Sequence, residues 1–157
     1  MLTRGATPSF APMLDVGALL DQKWLVRAVA AGFGSDGRIG GSVDWAGLRQ
    51  DTVSAQVQYR RRVGKTTMAA DLGAGFLHVT ASGHTAAPYD GVNVSRTAFC
   101  GVGGLALYLA LGSRLELSVE GQALMAAPAA DIWALSSGPA KSGQPTVLVM
   151  VGLAVLP

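Results

Sequence analysis

Residues 52–60 read Thr52-Val53-Ser54-Ala55-Gln56-Val57-Gln58-Tyr59-Arg60, and their alternation decides the fold class. Val53, Ala55, Val57 and Tyr59 fall on one side of an extended chain, and Ser54, Gln56, Gln58 and Arg60 on the other, because successive side chains of a strand point to opposite faces. The segment Arg114-Leu115-Glu116-Leu117-Ser118-Val119-Glu120 repeats the pattern, with Arg114, Glu116 and Glu120 opposite Leu115, Leu117 and Val119. In a helix these charges would wind around several sides; in a strand they share one.

The same period extends outward less cleanly. Thr66 to Thr80 sets Met68, Ala70, Leu72, Ala74 and Phe76 against Ala69, Asp71, Gly73 and Gly75. Arg38 to Leu48 sets Ile39, Gly41, Val43 and Trp45 against Gly40, Ser42, Asp44 and Ala46, and Trp24 to Gly34 carries Arg27 among apolar neighbours. Ser95 to Ala110 and Thr146 to Leu156 are apolar on both faces, and Pro12 to Leu20 makes a short first strand. The expected total is eight strands.

Composition explains why such strands should face lipid. Hydrophobic residues make up 50% of the 157 and charged residues only 14%, where roughly 25% charged is ordinary for a soluble domain. The 21 glycines argue against helices, in which each costs about 1 kcal/mol relative to alanine. The longest uncharged runs, Leu72 to Tyr89, Thr97 to Ser113 and Ser142 to Pro157, are broken by glycine or proline, and none reads as the roughly 20-residue span of a membrane helix. Met1 to Pro12 has no continuous apolar core and does not read as a signal peptide. The net charge of +2 is too mild to imply nucleic acid. The single Cys100 excludes an internal disulfide and multi-cysteine zinc sites.

Connections carry independent information. Ser35-Asp36-Gly37, Arg62-Val63-Gly64-Lys65 and Leu111-Gly112-Ser113 read as tight glycine turns, Asp21 to Lys23 and Arg49 to Asp51 as short links, and Ala81 to Val94 and Ala127 to Gln144 as long loops. Short turns on one rim and long loops on the other are expected of an outer-membrane barrel. On this pattern residues 12–157 resemble the small eight-stranded outer-membrane barrels of Gram-negative bacteria, the class of outer-membrane proteins A and X. Such barrels usually close on an aromatic residue, whereas this chain closes on Val155-Leu156-Pro157. The resemblance implies an all-β, eight-stranded, antiparallel up-and-down transmembrane β-barrel over 12–157, with residues 1–11 as an N-terminal extension. It also implies a porin-like monomer in the bacterial outer membrane with both termini on the periplasmic side, membrane lipid as its partner, and surface ligands engaged through loops 81–94 and 127–144. No catalysis, cofactor or nucleic-acid partner is expected.

Several motifs have simpler readings. Gly32-Phe33-Gly34-Ser35-Asp36-Gly37 matches a dinucleotide fingerprint, but Arg38-Ile39-Gly40-Gly41-Ser42 after it is a poor helix start. Val63-Gly64-Lys65-Thr66-Thr67 resembles the end of a P-loop, yet Tyr59 stands where that motif needs a glycine. His78 and His84 have only Asp90 as a nearby carboxylate, short of a metal site. Asn93-Val94-Ser95 fits the glycosylation sequon by chance.

The set that matters is the polar one. Arg27, Asp44, Gln56, Gln58, Arg60, Asp71, Arg114, Glu116, Glu120 and Gln122 all lie opposite apolar neighbours. In a closed barrel they meet inside as an ion-paired plug, since eight strands leave just enough room for side chains. Tyr59 and Tyr108 are expected at the short-turn rim, and Trp24, Trp45, Phe76 and Trp133 toward the other, as aromatic girdles. Two competitors invert or open this picture: a soluble lipocalin-like cup, with apolar faces inward and an apolar ligand, or a narrow channel.

Overall fold

The computed structural model describes residues 9, 11–32, 34–40, 45–84, 91, 93–127, 130–134, 138–142 and 146–155, with the side chains of 39–40 and 130–142 outside that description. Every regular element in it is a strand: β1 (Met13–Leu19), β2 (Trp24–Ala31), β3 (Gly37–Gly40), β4 (Trp45–Val63), β5 (Thr66–His84), β6 (Asn93–Ala110), β7 (Leu115–Ala127), β8 (Ala130–Ala134), β9 (Gly138–Ser142) and β10 (Thr146–Val155). The main sheet is eight-stranded, in the order β1-β2-β4-β5-β6-β7-β10 with β3 also on β4, and every ladder is antiparallel. It curls into a half-barrel. β8 and β9 form a separate hairpin.

Two expected turns are corrected. Arg49 to Asp51 is no link: β4 runs unbroken from Trp45 to Val63, where two strands were expected. Ser35 to Gly37 is no hairpin either. β2 pairs with β4 from Ala31↔Thr52 outward, and β3 resumes on the same edge at Gly37↔Leu48. β2 and β3 are therefore one interrupted strand line, and the barrel wall has seven strand positions.

This correction sorts the connections cleanly. The turns at 20–23, 64–65 and 111–114 lie on one rim, and the strand ends that flank 41–44, 85–92 and 128–145 on the other. The short turns are locally determined. Asp21 Oδ1 accepts hydrogen bonds from the backbone N–H groups of Lys23 (2.6 Å) and Trp24 (2.7 Å), an Asx arrangement that closes the first hairpin. Gly64 takes φ of +64° at the first position of a two-residue loop, where a hairpin of this type demands positive φ. With seven positions, β1 begins at the long-loop rim and β10 ends at the short-turn rim. The two ends of the sheet thus lie on opposite rims, not together as expected.

Side-chain phase follows the sequence reading in the central strands. In β4, Ser54, Gln56 and Gln58 are buried inside while Val53, Ala55, Val57 and Tyr59 are exposed outside; in β5, Asp71 points in while Met68, Leu72 and Phe76 point out. The strands that were apolar on both faces resolve as well: Cys100, Val102, Ala106 and Tyr108 of β6 and Leu148 of β10 face inward.

The phase holds along the whole wall, but its chemistry reverses partway up. From the short-turn rim to the level of Val53, Phe76 and Phe99, the outside is apolar, and the inside holds the buried polar residues Arg27, Gln56, Gln58, Asp71, Glu116, Glu120 and Gln122 beside apolar ones such as Ala69, Val102 and Ala106. Beyond that level the outer face carries Arg49 and Asp51, joined by an ion pair (3.2 Å), and His78, bonded to Thr97 (2.8 Å) and Ser95 (3.1 Å). Inside at that height stand Leu48, Leu77, Val79 and Ala81, the upper part of a hydrophobic core that continues toward the short-turn rim through Cys100, Val102, Leu124, Ala126 and Leu148.

Candidate functional site

The short-turn half of the interior is built around Arg27. β2 places it inward between Leu25 and Val29, and its guanidinium is fully buried. Nε donates to Gln56 Oε1 (3.0 Å), Nη1 to Asp15 Oδ2 (2.9 Å) and to Glu120 Oε2 (3.0 Å), and Nη2 to Glu120 Oε1. Asp71 Oδ2 lies 3.1 Å from Nη2, outside hydrogen-bond geometry, so this buried carboxylate is held by charge alone and has no donor among the described residues. One positive charge thus faces three negative ones. The register neighbour of Asp71 is Gly104, where a side chain would run into Asp71 Oδ1 and the Gln122 stem.

The glutamines knit the hub together. Gln122 Nε2 donates to Gln56 Oε1 (3.1 Å) and Glu120 Oε1 (2.6 Å), and Gln56 Nε2 donates to Ser54 Oγ (2.9 Å). A second cluster lies nearer the rim. Arg60 Nη2 donates to Glu116 Oε2 (2.7 Å), its guanidinium sits 4.7 Å from the centre of the Tyr108 ring, and Gln58 Nε2 donates to the Tyr108 hydroxyl (3.1 Å).

Of the residues expected inside, the structure gathers Arg27, Gln56, Asp71, Glu120 and Gln122 into the hub, and Gln58, Arg60 and Glu116 into the rim cluster. Arg114 is a correction: it is exposed in the turn before β7, because that strand starts at Leu115, one residue too late to carry it inward. Asp44 lies outside the described residues. Tyr108 is a second correction: it is buried and hydrogen-bonded inside rather than part of a lipid-facing girdle. Asp15 joins the hub without having been singled out by the sequence. Its signal is the alternation of Leu14 and Val16 around it, hidden in a strand only seven residues long.

The outer face opposite this interior is apolar. Leu72, Leu105 and Val151 are 74%, 70% and 73% exposed. Trp24 and Tyr59 stack edge-to-face (5.1 Å) toward the short-turn rim, and Phe76 and Phe99 (6.0 Å) at the upper edge of the band. Tyr59 pairs with Ala70, six residues before Phe76, which separates the two aromatic pairs by roughly 20 Å along the strand. Trp45 stands higher, stacked on His84 (3.9 Å) and with the Arg38 guanidinium 4.3 Å from the centre of its ring; the side chain of Trp133 and the position of Asp90 lie outside the described residues.

Chemically, the arrangement is a brace. Arg27 spends its donors on β1, β4 and β7 at once, and Arg60 ties β4 to β7. Buried charges in such a site hold only when paired. No group of three potential metal ligands occurs among the described residues. Searches of protein-family models, curated proteins and solved structures find no match to this chain.

Proposed function

We propose that this chain is a monomeric β-barrel of the bacterial outer membrane, a non-catalytic scaffold whose polar interior is plugged and whose long-loop end meets surface ligands. The observation that supports it is the reversal of polarity along the wall. A half with apolar residues outside and ion pairs inside suits lipid, whereas a half with polar residues outside and an apolar core suits water. The apolar outer stretch from Phe99 to Leu109 on β6, and from Leu115 to Met125 on β7, matches the 9–11 residues with which a tilted strand crosses a bilayer. The soluble cup requires the opposite phase in the short-turn half, where Arg27 and Gln56 point in and Leu72 and Leu105 point out.

On this reading lipid covers the short-turn half, and the upper wall stands in water, presenting the segments 85–92 and 128–145, the latter carrying the β8–β9 hairpin, to partners. The test is folding in defined solvents. The chain should show a β-type circular dichroism spectrum in detergent micelles or lipid vesicles, with unheated and boiled samples migrating differently on an SDS gel. A monodisperse folded monomer in plain buffer overturns the proposal in favour of the soluble cup.

A further inference from the structure

Five cations crowd the short-turn rim. Lys23 ends the first turn, Arg61 and Arg62 lie at the end of β4, Lys65 stands in the second turn and Arg114 in the third; all five are exposed. The three turns are neighbours along the rim, because β2 pairs with β4 and β5 with β6. Backbone hydrogen bonds tie them together: the Arg60 N–H donates to the Lys23 carbonyl (2.7 Å), and the Ala110 N–H to that of Lys65 (3.0 Å). Asp21 is the one carboxylate in these turns, and its Oδ1 already accepts from the backbone of its own turn. Among the described residues none of the five cations makes an ion pair, and Glu116, just inside the rim, is taken by Arg60. With five cations and one carboxylate, the rim holds a charge of +4 in a chain whose net charge is +2, so the rest of the chain is net negative.

Position gives a second, independent argument. The outward residues of β4 from Val53 to Val63 are Val53, Ala55, Val57, Tyr59, Arg61 and Val63, and Arg61 is the one charge in that row. Its register partner Met68 is 56% exposed on the same outer face. An arginine rooted in an apolar wall lays its stem along that wall and carries its head to the polar boundary. Tyr59, one outward step away, stacks on Trp24, the neighbour of Lys23. Apolar band, aromatic pair and cations therefore follow one another toward the rim, the order in which acyl chains, interface and headgroups follow one another in a bilayer.

We propose that the short-turn rim binds the phosphate groups of anionic phospholipids, with Arg61 as the principal ligand and Lys23 and Lys65 beside it. The guanidinium fork of Arg61 matches phosphate oxygens with paired donors, and clustered cations next to a membrane-embedded wall attract anionic headgroups. Arg61 decides lipid over a soluble acidic partner. It leaves the outer face of the wall rather than a turn, so its anion must lie against the surface that the acyl chains cover.

This inference rests on the reading that lipid covers the short-turn half, and its test separates the two. Trp45→Phe with Trp133→Phe leaves Trp24 as the sole tryptophan, a fluorophore at the rim in question. The full chain is refolded in mixed vesicles of phosphatidylcholine and phosphatidylglycerol, in which either lipid carries brominated acyl chains that quench tryptophan on contact. Folding is checked by the mobility difference between unheated and boiled samples. Phosphatidylglycerol should occupy the lipid positions beside Trp24 at no less than twice its share of the vesicle. Arg61→Gln with Lys23→Gln and Lys65→Gln should return it to that share, Arg61→Lys should keep most of the enrichment, and high salt should erase it in the parent chain. Quenching by both lipids in their bulk ratio overturns the inference while leaving the lipid-covered wall intact. Enrichment that survives the triple glutamine variant, or that falls equally with Arg96→Gln on the upper part of β6, overturns it as well. No quenching by either lipid overturns the lipid-covered wall and the inference with it.

Discussion

The two halves of the wall use the same strands and opposite chemistry. In the short-turn half, β5 puts Asp71 inside and Leu72 outside; in the long-loop half, the same strand puts Leu77 and Val79 inside and His78 outside. The alternation never slips, since a one-residue shift would send every side chain to the wrong face. What changes between Phe76 and His78 is which face is polar. A period-two pattern therefore fixes the orientation of side chains but not which face is polar.

The largest way to break the comparison is to remove the hub. Arg27→Ala leaves Asp15, Asp71 and Glu120 without their shared cation, and losing one partner of a buried pair costs about 3–5 kcal/mol. The variant should fail to refold, or unfold at much lower denaturant concentration than the parent chain; an unchanged midpoint would mean that the polar half is not held by charge.

A second prediction sets the halves against each other. Leu72→Arg places a charge on the outer face of the short-turn half and should cost about 2–4 kcal/mol near the middle of a bilayer. Ser82→Arg, on the outer face of the other half, should stay within about 0.5 kcal/mol, as solvent-facing substitutions do. Unfolding both in lipid checks the contrast, and equal costs would erase the boundary.

The rim cluster should show a smaller effect. Glu116→Ala removes the acceptor of Arg60, which keeps the Tyr108 ring and lies close to the rim. A hydrogen bond to a charged group contributes about 1.5–3 kcal/mol, so the denaturation midpoint should fall by less than in Arg27→Ala. A larger fall would move the centre of the network from Arg27 to Arg60.

Much of this is readable from the chain. Val53 to Tyr59 and Glu116 to Glu120 announce their phase because each face is chemically uniform, and those faces locate most of the interior network. The errors cluster at the reversal. Arg49-Gln50-Asp51 looks like a turn because three polar residues are consecutive; in the fold Arg49 and Asp51 have become outward polar residues while Gln50 remains an inward one. The apolar core is hidden for the converse reason. Ser95 to Ala110 is apolar on both faces because Phe99, Leu105, Leu107 and Leu109 form the outer band while Cys100, Val102 and Ala106 pack inside at the same height, and a strand of uniform hydrophobicity does not state its phase. Tyr108 is misplaced by the same uniformity. Arg114 is misplaced because alternation in sequence continues one residue beyond the strand that gives it meaning.

The central claim is that solvent changes along β5 between Phe76 and Ser82. Nitroxide labels placed singly at Met68, Leu72, Phe76, Thr80 and Ser82, in the Cys100→Ala background and in lipid vesicles, test it by their collision rates with oxygen and with a water-soluble nickel chelate. Labels at 68, 72 and 76 should favour oxygen and labels at 80 and 82 the chelate, with the crossover just above Phe76. Uniform chelate access at all five positions would contradict the account.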